Sequence, residues 1–259
     1  MKKSVLKIIS VAVAFCSVVS LASCKGKTDV NEQTTKYLPE KSVTEETVRI
    51  ANVPTDTAEL TDMLNAAVNY VDRYCYTYKK SLKCDATVTS LGSLSSASNA
   101  SSAFASIFGE KSTDADFDYN ADKKTFADSF VKGSFTSEEI SSIVAKQDGD
   151  VVVLTAVFND ESNPTDEKGV LHRLGGDYQN AEDVSKSLGE FKSSASSVTV
   201  SADTIIITAK ISVEDSSLKS MTVSYTERYH LSGVTLVKLS GGSVSGSART
   251  VIEYTDFGQ

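Results

Sequence analysis

The chain has 259 residues, 40% of them apolar, with 26 basic against 34 acidic side chains and a formal charge of −8. Such an acidic surface repels nucleic-acid phosphates and anionic lipid headgroups alike, so neither is expected as a partner recruited by charge. The apolar content supports a packed core, while the absence of tryptophan disfavours a sugar-stacking surface.

Lys2, Lys3 and Lys7 precede an unbroken run of apolar or small residues from Ile8 to Ala22. A basic head, a short apolar stretch and small residues at its end describe a secretory signal peptide. The run is short for a bilayer-spanning helix, which needs about 20 apolar residues. Behind it, Leu21-Ala22-Ser23-Cys24 resembles the lipobox of bacterial lipoproteins. The resemblance covers residues 1–24. It implies that the Cys24 thiol carries a diacylglyceryl group, that residues 1–23 are removed, and that the mature chain sits on the extracytoplasmic face of a bacterial membrane. Two acyl chains on one residue meet the two-signal requirement for stable anchoring. Three lysines and no acids leave with the signal, so the charge falls from −8 to −11.

Residues 24–46 are polar and hold little that packs, so they are expected to form a flexible tether. A coil of that length sets the body roughly 25 Å from the membrane. Residues 47–259 are expected to form one α+β domain, opening on a short strand at "TVRIANV" (47–53).

The segment 54–82 has Leu60, Leu64, Ala67, Val68, Val71, Tyr74, Cys75, Tyr78 and Leu82 at three- and four-residue steps. That spacing predicts a long amphipathic helix, started by Asp56 with Glu59 three residues on. Once Cys16 and Cys24 are accounted for, Cys75 and Cys84 remain. In an oxidising compartment they are either a candidate disulfide or two buried free thiols.

A short helix is expected toward the end of the serine-rich stretch 90–109, using Ala103, Phe104, Ile107 and Phe108. In "TDADFDYNADKK" the acids Asp114, Asp116, Asp118 and Asp122 alternate with Ala115, Phe117, Tyr119 and Ala121. Neither register supplies the glycine and glutamate of a calcium loop. The alternation instead predicts an edge strand with its acidic face to water. "EISSIVAKQDGDVVVLTAVF" reads as a hairpin turning at Asp148-Gly149. Its second run, Val151–Phe158, is apolar on both faces, which predicts a strand covered on each side. "AEDVSKSLGEFKSS" reads as a helix. The last sixty residues read as a four-strand antiparallel meander. The expected class is therefore α+β: a long N-terminal helix packed on a twisted, largely antiparallel sheet.

No motif here carries chemistry. His172 and His230 lack further ligands at metal spacing, and no nucleophile elbow, phosphate loop or dinucleotide fingerprint occurs. No enzyme activity, metal or cofactor is expected. The helix, the meander and "TAKISVEDSSLKSMTVSY" resemble the lipoprotein-carrier families of the LolA and LppX type, in architecture and over about the last sixty residues. That resemblance implies a module for an apolar or amphiphilic ligand, lined by Ile205, Ile207, Ile211, Val223 and Tyr225. The alternative is a protein-interaction or spacer module of the cell envelope, in which the same residues form a filled core.

Overall fold

A computed structural model of the chain describes residues 50, 52–74, 77–96, 99–118, 131–164, 169–175, 178–236 and 239–258. All belong to one compact unit bounded by Lys41 and Gln259. Among the described residues its helices are α1 (Thr57–Tyr74), α2 (Ala100–Ile107), α3 (Val170–Arg173) and α4 (Ala181–Glu190), with a 3-10 turn at Gly92–Ser96. Its strands are β1 (Thr77–Ser90), β2 (Lys111–Asp118), β3 (Ile140–Asp148), β4 (Val151–Phe158), β5 (Glu161–Ser162), β6 (Ser193–Ser194), β7 (Ser197–Ser212), β8 (Leu218–Leu236) and β9 (Leu239–Gly258). Among the described residues no helix is long and apolar enough to cross a membrane.

All nine strands join one sheet in the order β2-β1-β9-β8-β7-β4-β3, and every pair is antiparallel. The short β5 and β6 sit beside β7 and β8. One face of the sheet is covered by the helices, and the other faces solvent. Alternation along β7, β8 and β9 sends Val200, Ile207, Val223, Tyr229, Ala248 and Ile252 into the covered face, where each is buried.

The α+β expectation is corrected. The chain is mainly antiparallel β with short helices, and its helix at the N-terminal side of the sheet stops at Tyr74. Tyr78 and Leu82 are buried as predicted for a helix, yet they do so as strand residues of β1. Positions 78 and 82 satisfy both a four-residue and a two-residue period, and the run of tyrosines and threonines through "YTYKKSLKCDATVT" favours the extended form. The start of α1 is as read: the Asp56 carboxylate accepts from the Ala58 and Glu59 N–H groups at 2.9 and 3.4 Å.

The four-strand meander is three longer strands. Gly233, where a break would divide the second strand from the third, instead sits at a bulge within β8, φ +58°, where the register with β9 shifts between Leu231 and Val234. The expected strand at 47–53 falls largely outside the described residues; Ile50 N–H donates to Val213 O at 3.0 Å, and residues 52–54 are not strand.

Other expectations hold. Asp148 pairs with Val151 across a two-residue turn whose Gly149 has φ +64°. The short helix forms as α2, with Phe104 and Ile107 buried. Helix α4 is started by Asn180, which accepts from Glu182 and Asp183 N–H while Asp183 reaches back to the Asn180 N–H. Strand β2 is an edge strand with Asp114, Asp116 and Asp118 exposed, but of the opposite face Phe117 is partly buried while Ala115 is exposed, and Tyr119, Ala121 and Asp122 lie outside the described residues. Strand β4 departs from its reading: it lies one in from the β3 edge, and only one of its faces is covered.

Candidate functional site

The covered face of the sheet is where a ligand chamber was expected. Ile205, Ile207, Ile211, Val223 and Tyr225 all point there and join one continuous apolar cluster with the helices. Ile205, Ile207 and Val223 are 0% exposed, so no void large enough for water touches them. A chamber wall would have to present surface to such a void. At these three positions the interior is filled, and Tyr225 and Ile211 are 1% and 5% exposed.

The same face buries a polar row that was not anticipated. Glu227 is 2% exposed and lies between Ala202 of β7 and Ala248 of β9. Its carboxylate accepts the Gln179 N–H at 2.7 Å, which ties the chain entering α4 to the sheet. Next to it, Tyr229 donates to Phe108 O at 3.2 Å, and the two rings stack 4.5 Å apart at 2°. Burial, then the nearby Glu227 charge, drive the Tyr229 hydroxyl pKa far up, so it stays a neutral donor. The period-2 pattern of "YTERY" carries this signal: if Tyr225 and Tyr229 point inward, Glu227 must as well.

Cys84 lies on this face in β1, opposite Lys111 and Thr250. It is a buried free thiol, and burial pushes its pKa up against the opposing effect of the Thr250 hydroxyl. Cys75 and Cys24 lie outside the described residues.

The histidines stand apart. His172 Nδ1 lies 3.2 Å from the Tyr178 hydroxyl. His230 Nδ1 lies 2.9 Å from Ser245 Oγ on the exposed face, and among the described residues no hydrogen bond orients its other nitrogen. A serine nucleophile needs a base that a third group holds in place, and among the described residues no hydrogen bond supplies that third group to His230. Among the described residues no group of three or more His, Cys, Asp and Glu is placed to hold a metal ion.

Two surface features remain. The first is a cleft of about 250 Å³ where β1, β2 and β9 meet. Tyr78 and Phe117, whose rings stack 4.8 Å apart, belong to its lining, but strand alternation points both rings to the covered face, opposite Lys79, Asp116 and Asp118. Asp116, Asp118, Asp256 and Lys79 also line it. Lys79 Nζ is 2.9 Å from Asp256, and the Asp256 and Asp116 carboxylates raise its pKa. Asp256 has φ +53° beside an irregularity in the β1–β9 register, which turns it toward the cleft mouth. The second feature is an apolar patch on the solvent face at the other edge. Val144 of β3 is 61% exposed, and Val151, Val153, Val157 and Ile206 beside it are partly exposed. Sequence reading missed both, since each is assembled by strand pairing from distant segments.

No family model matches the chain, and no curated protein or solved structure resembles it closely enough to count as a match.

Proposed function

We propose that this is a membrane-tethered, non-catalytic interaction module of the bacterial envelope, anchored by acyl chains on Cys24 and presenting its solvent-facing sheet and sheet edges to another protein. The observation that carries the reading is the contrast between the two faces of one sheet. The positions that would line a ligand chamber are packed to 0–5% exposure, which favours a filled core over a carrier's cavity. The features left available lie outward: among the described residues β2 and β3 each have a strand on one side only, and β3 exposes the apolar Val144.

The anchor supports the same reading. A lipid foot holds the body near one surface, where a partner on that surface is met at high effective concentration. Photo-crosslinkers placed in the native envelope at Thr113 on β2, at Ala145 on β3, and at Thr222 in the middle of the solvent face test it. One discrete protein adduct from an edge position, absent at Thr222, is the expected result. Lipid adducts from all three positions, or a mature chain without added acyl mass at Cys24, would overturn the reading.

A further inference from the structure

We propose that the β3 edge binds the β3 edge of a second copy of this chain, so that two sheets run on as one about a two-fold axis through Val144. This names the partner for the interaction module above and rests on that reading. Among the described residues β3 has a strand on one side only, β4. Asp148 pairs with Val151 around a two-residue turn, and residues flanking such a turn exchange both of their ladder hydrogen bonds. By alternation Lys146, Val144 and Ser142 also aim their main-chain groups at β4. Ala145 and Ile143 aim theirs at the open side. Open edges of this kind accept a further strand through main-chain hydrogen bonds.

Topology, charge and register together select a second copy as the occupant. Every strand runs antiparallel to its neighbours, so the two ends of the order, β2 and β3, point the same way. A second copy with its helices on the same side can therefore continue the antiparallel pattern only by matching an edge to itself. Matching β2 to itself would oppose Asp114, Asp116 and Asp118 to aspartates, which is destabilising. Strand β3 carries Lys146 and Asp148 and is neutral. With Val144 on the axis, Val144 meets the partner's Val144, Lys146 meets the partner's Ser142, and Ile143 meets the partner's Ala145. No like charges oppose, and the main-chain groups joined are those of Ile143 and Ala145, which face the open side. The seam also covers Val144, the one large apolar side chain fully exposed among the described residues. So short a seam makes a weak dimer in solution, and tethering both copies to one membrane raises their effective concentration.

The test uses the full chain, made without its acyl group, at rising concentration. Sedimentation velocity should show a monomer–dimer equilibrium with no larger species, and the Ile143 and Ala145 amides should gain protection from exchange as dimer forms. Val144→Cys should link two copies through a disulfide, because a pair that shares no ladder bond brings Cα atoms to about 4.5 Å, within disulfide reach. Lys146→Cys, which the register sets against the partner's Ser142, should not. Val144→Lys opposes two ammonium groups at the axis and should weaken dimerisation about tenfold, while the urea midpoint at monomeric concentration stays unchanged. A chain that stays monomeric throughout would overturn the proposal, as would growth beyond two copies. So would disulfide dimers forming faster through Lys146→Cys than through Val144→Cys, or Ile143 and Ala145 amides already protected in the dilute chain. An adduct from Ala145 in the envelope that carries a different protein would sink this inference and spare the module reading.

Discussion

Strand β8 shows two regimes within a single stretch of chain. Met221, Val223, Tyr225, Tyr229 and Leu231 face the helices at 0–2% exposure, while Thr222, Ser224, Thr226, Arg228 and His230 face water. Inward residues are chosen by packing, because a filled interior transmits every change in volume. Outward residues are chosen by solubility and by whatever meets them. The comparison teaches where to look for activity: the inward face is committed to the fold, and the interaction module proposed above would use the outward face and the edges.

The contrast predicts a large asymmetry between adjacent positions of β7. Ile207→Ala should cost about 2–5 kcal/mol, since it opens a cavity in a site that is fully buried. Thr208→Ala, one residue on and facing out, should stay within about 0.5 kcal/mol. Urea midpoints of the two variants measure this, and equal costs would break the comparison.

A sharper version concerns crowding. A Cβ at Gly246 would lie 2.3 Å from Phe108 Cε2 and 2.8 Å from Thr87 O. Gly246→Ala should therefore destabilise by about 1–3 kcal/mol through overpacking and unseat the Phe108–Tyr229 stack. Near-ultraviolet circular dichroism together with the urea midpoint reports both effects.

Two carboxylates in turns contribute a smaller, pH-dependent amount. Burial pushes the Glu139 carboxyl up, but the Thr136 N–H at 2.8 Å and the Arg173 guanidinium outweigh it and hold the pKa below the usual value. Asp215 accepts from the Ser217 hydroxyl at 2.6 Å, then from the Ser212 hydroxyl and Ser217 N–H, and its pKa falls to about 2. Groups depressed in the folded state add stability that is full above their unfolded values near 4 and is lost as pH falls through the folded ones. The melting temperature should therefore drop between about pH 4.5 and 2, and Glu139→Gln with Asp215→Asn should flatten that drop. A drop of the same size in the double variant would assign the acid sensitivity elsewhere. Smallest of all, Val144→Ser at the exposed β3 edge should change the urea midpoint by less than about 0.5 kcal/mol.

How much of this was legible in the sequence depended on whether a local pattern had a single meaning. Asp148-Gly149 between apolar runs can hardly be anything but a hairpin, and Asn180 with Asp183 marks a helix start on its own. Tyr78 and Leu82 fit two periods at once, so local reasoning carried α1 eight residues too far, past Tyr74. Gly233 reads equally well as a break or a bulge, and only pairing with β9 decides between them. The doubly apolar β4 misled because its outward valines mark a surface patch, which looks the same in sequence as a second buried face. The cleft was out of reach altogether. Tyr78, Phe117 and Asp256 are brought together by β1 pairing with both β2 and β9, a fact of register that no short window contains.

Native mass spectrometry of the folded chain, prepared without its acyl group and incubated with total envelope lipid, tests the filled core most directly. The account predicts a single mass equal to the bare polypeptide at every lipid concentration. A stoichiometric lipid adduct that Ile207→Ala or Val223→Ala alters would contradict it, and would return the inward face of the sheet to the role of a binding chamber.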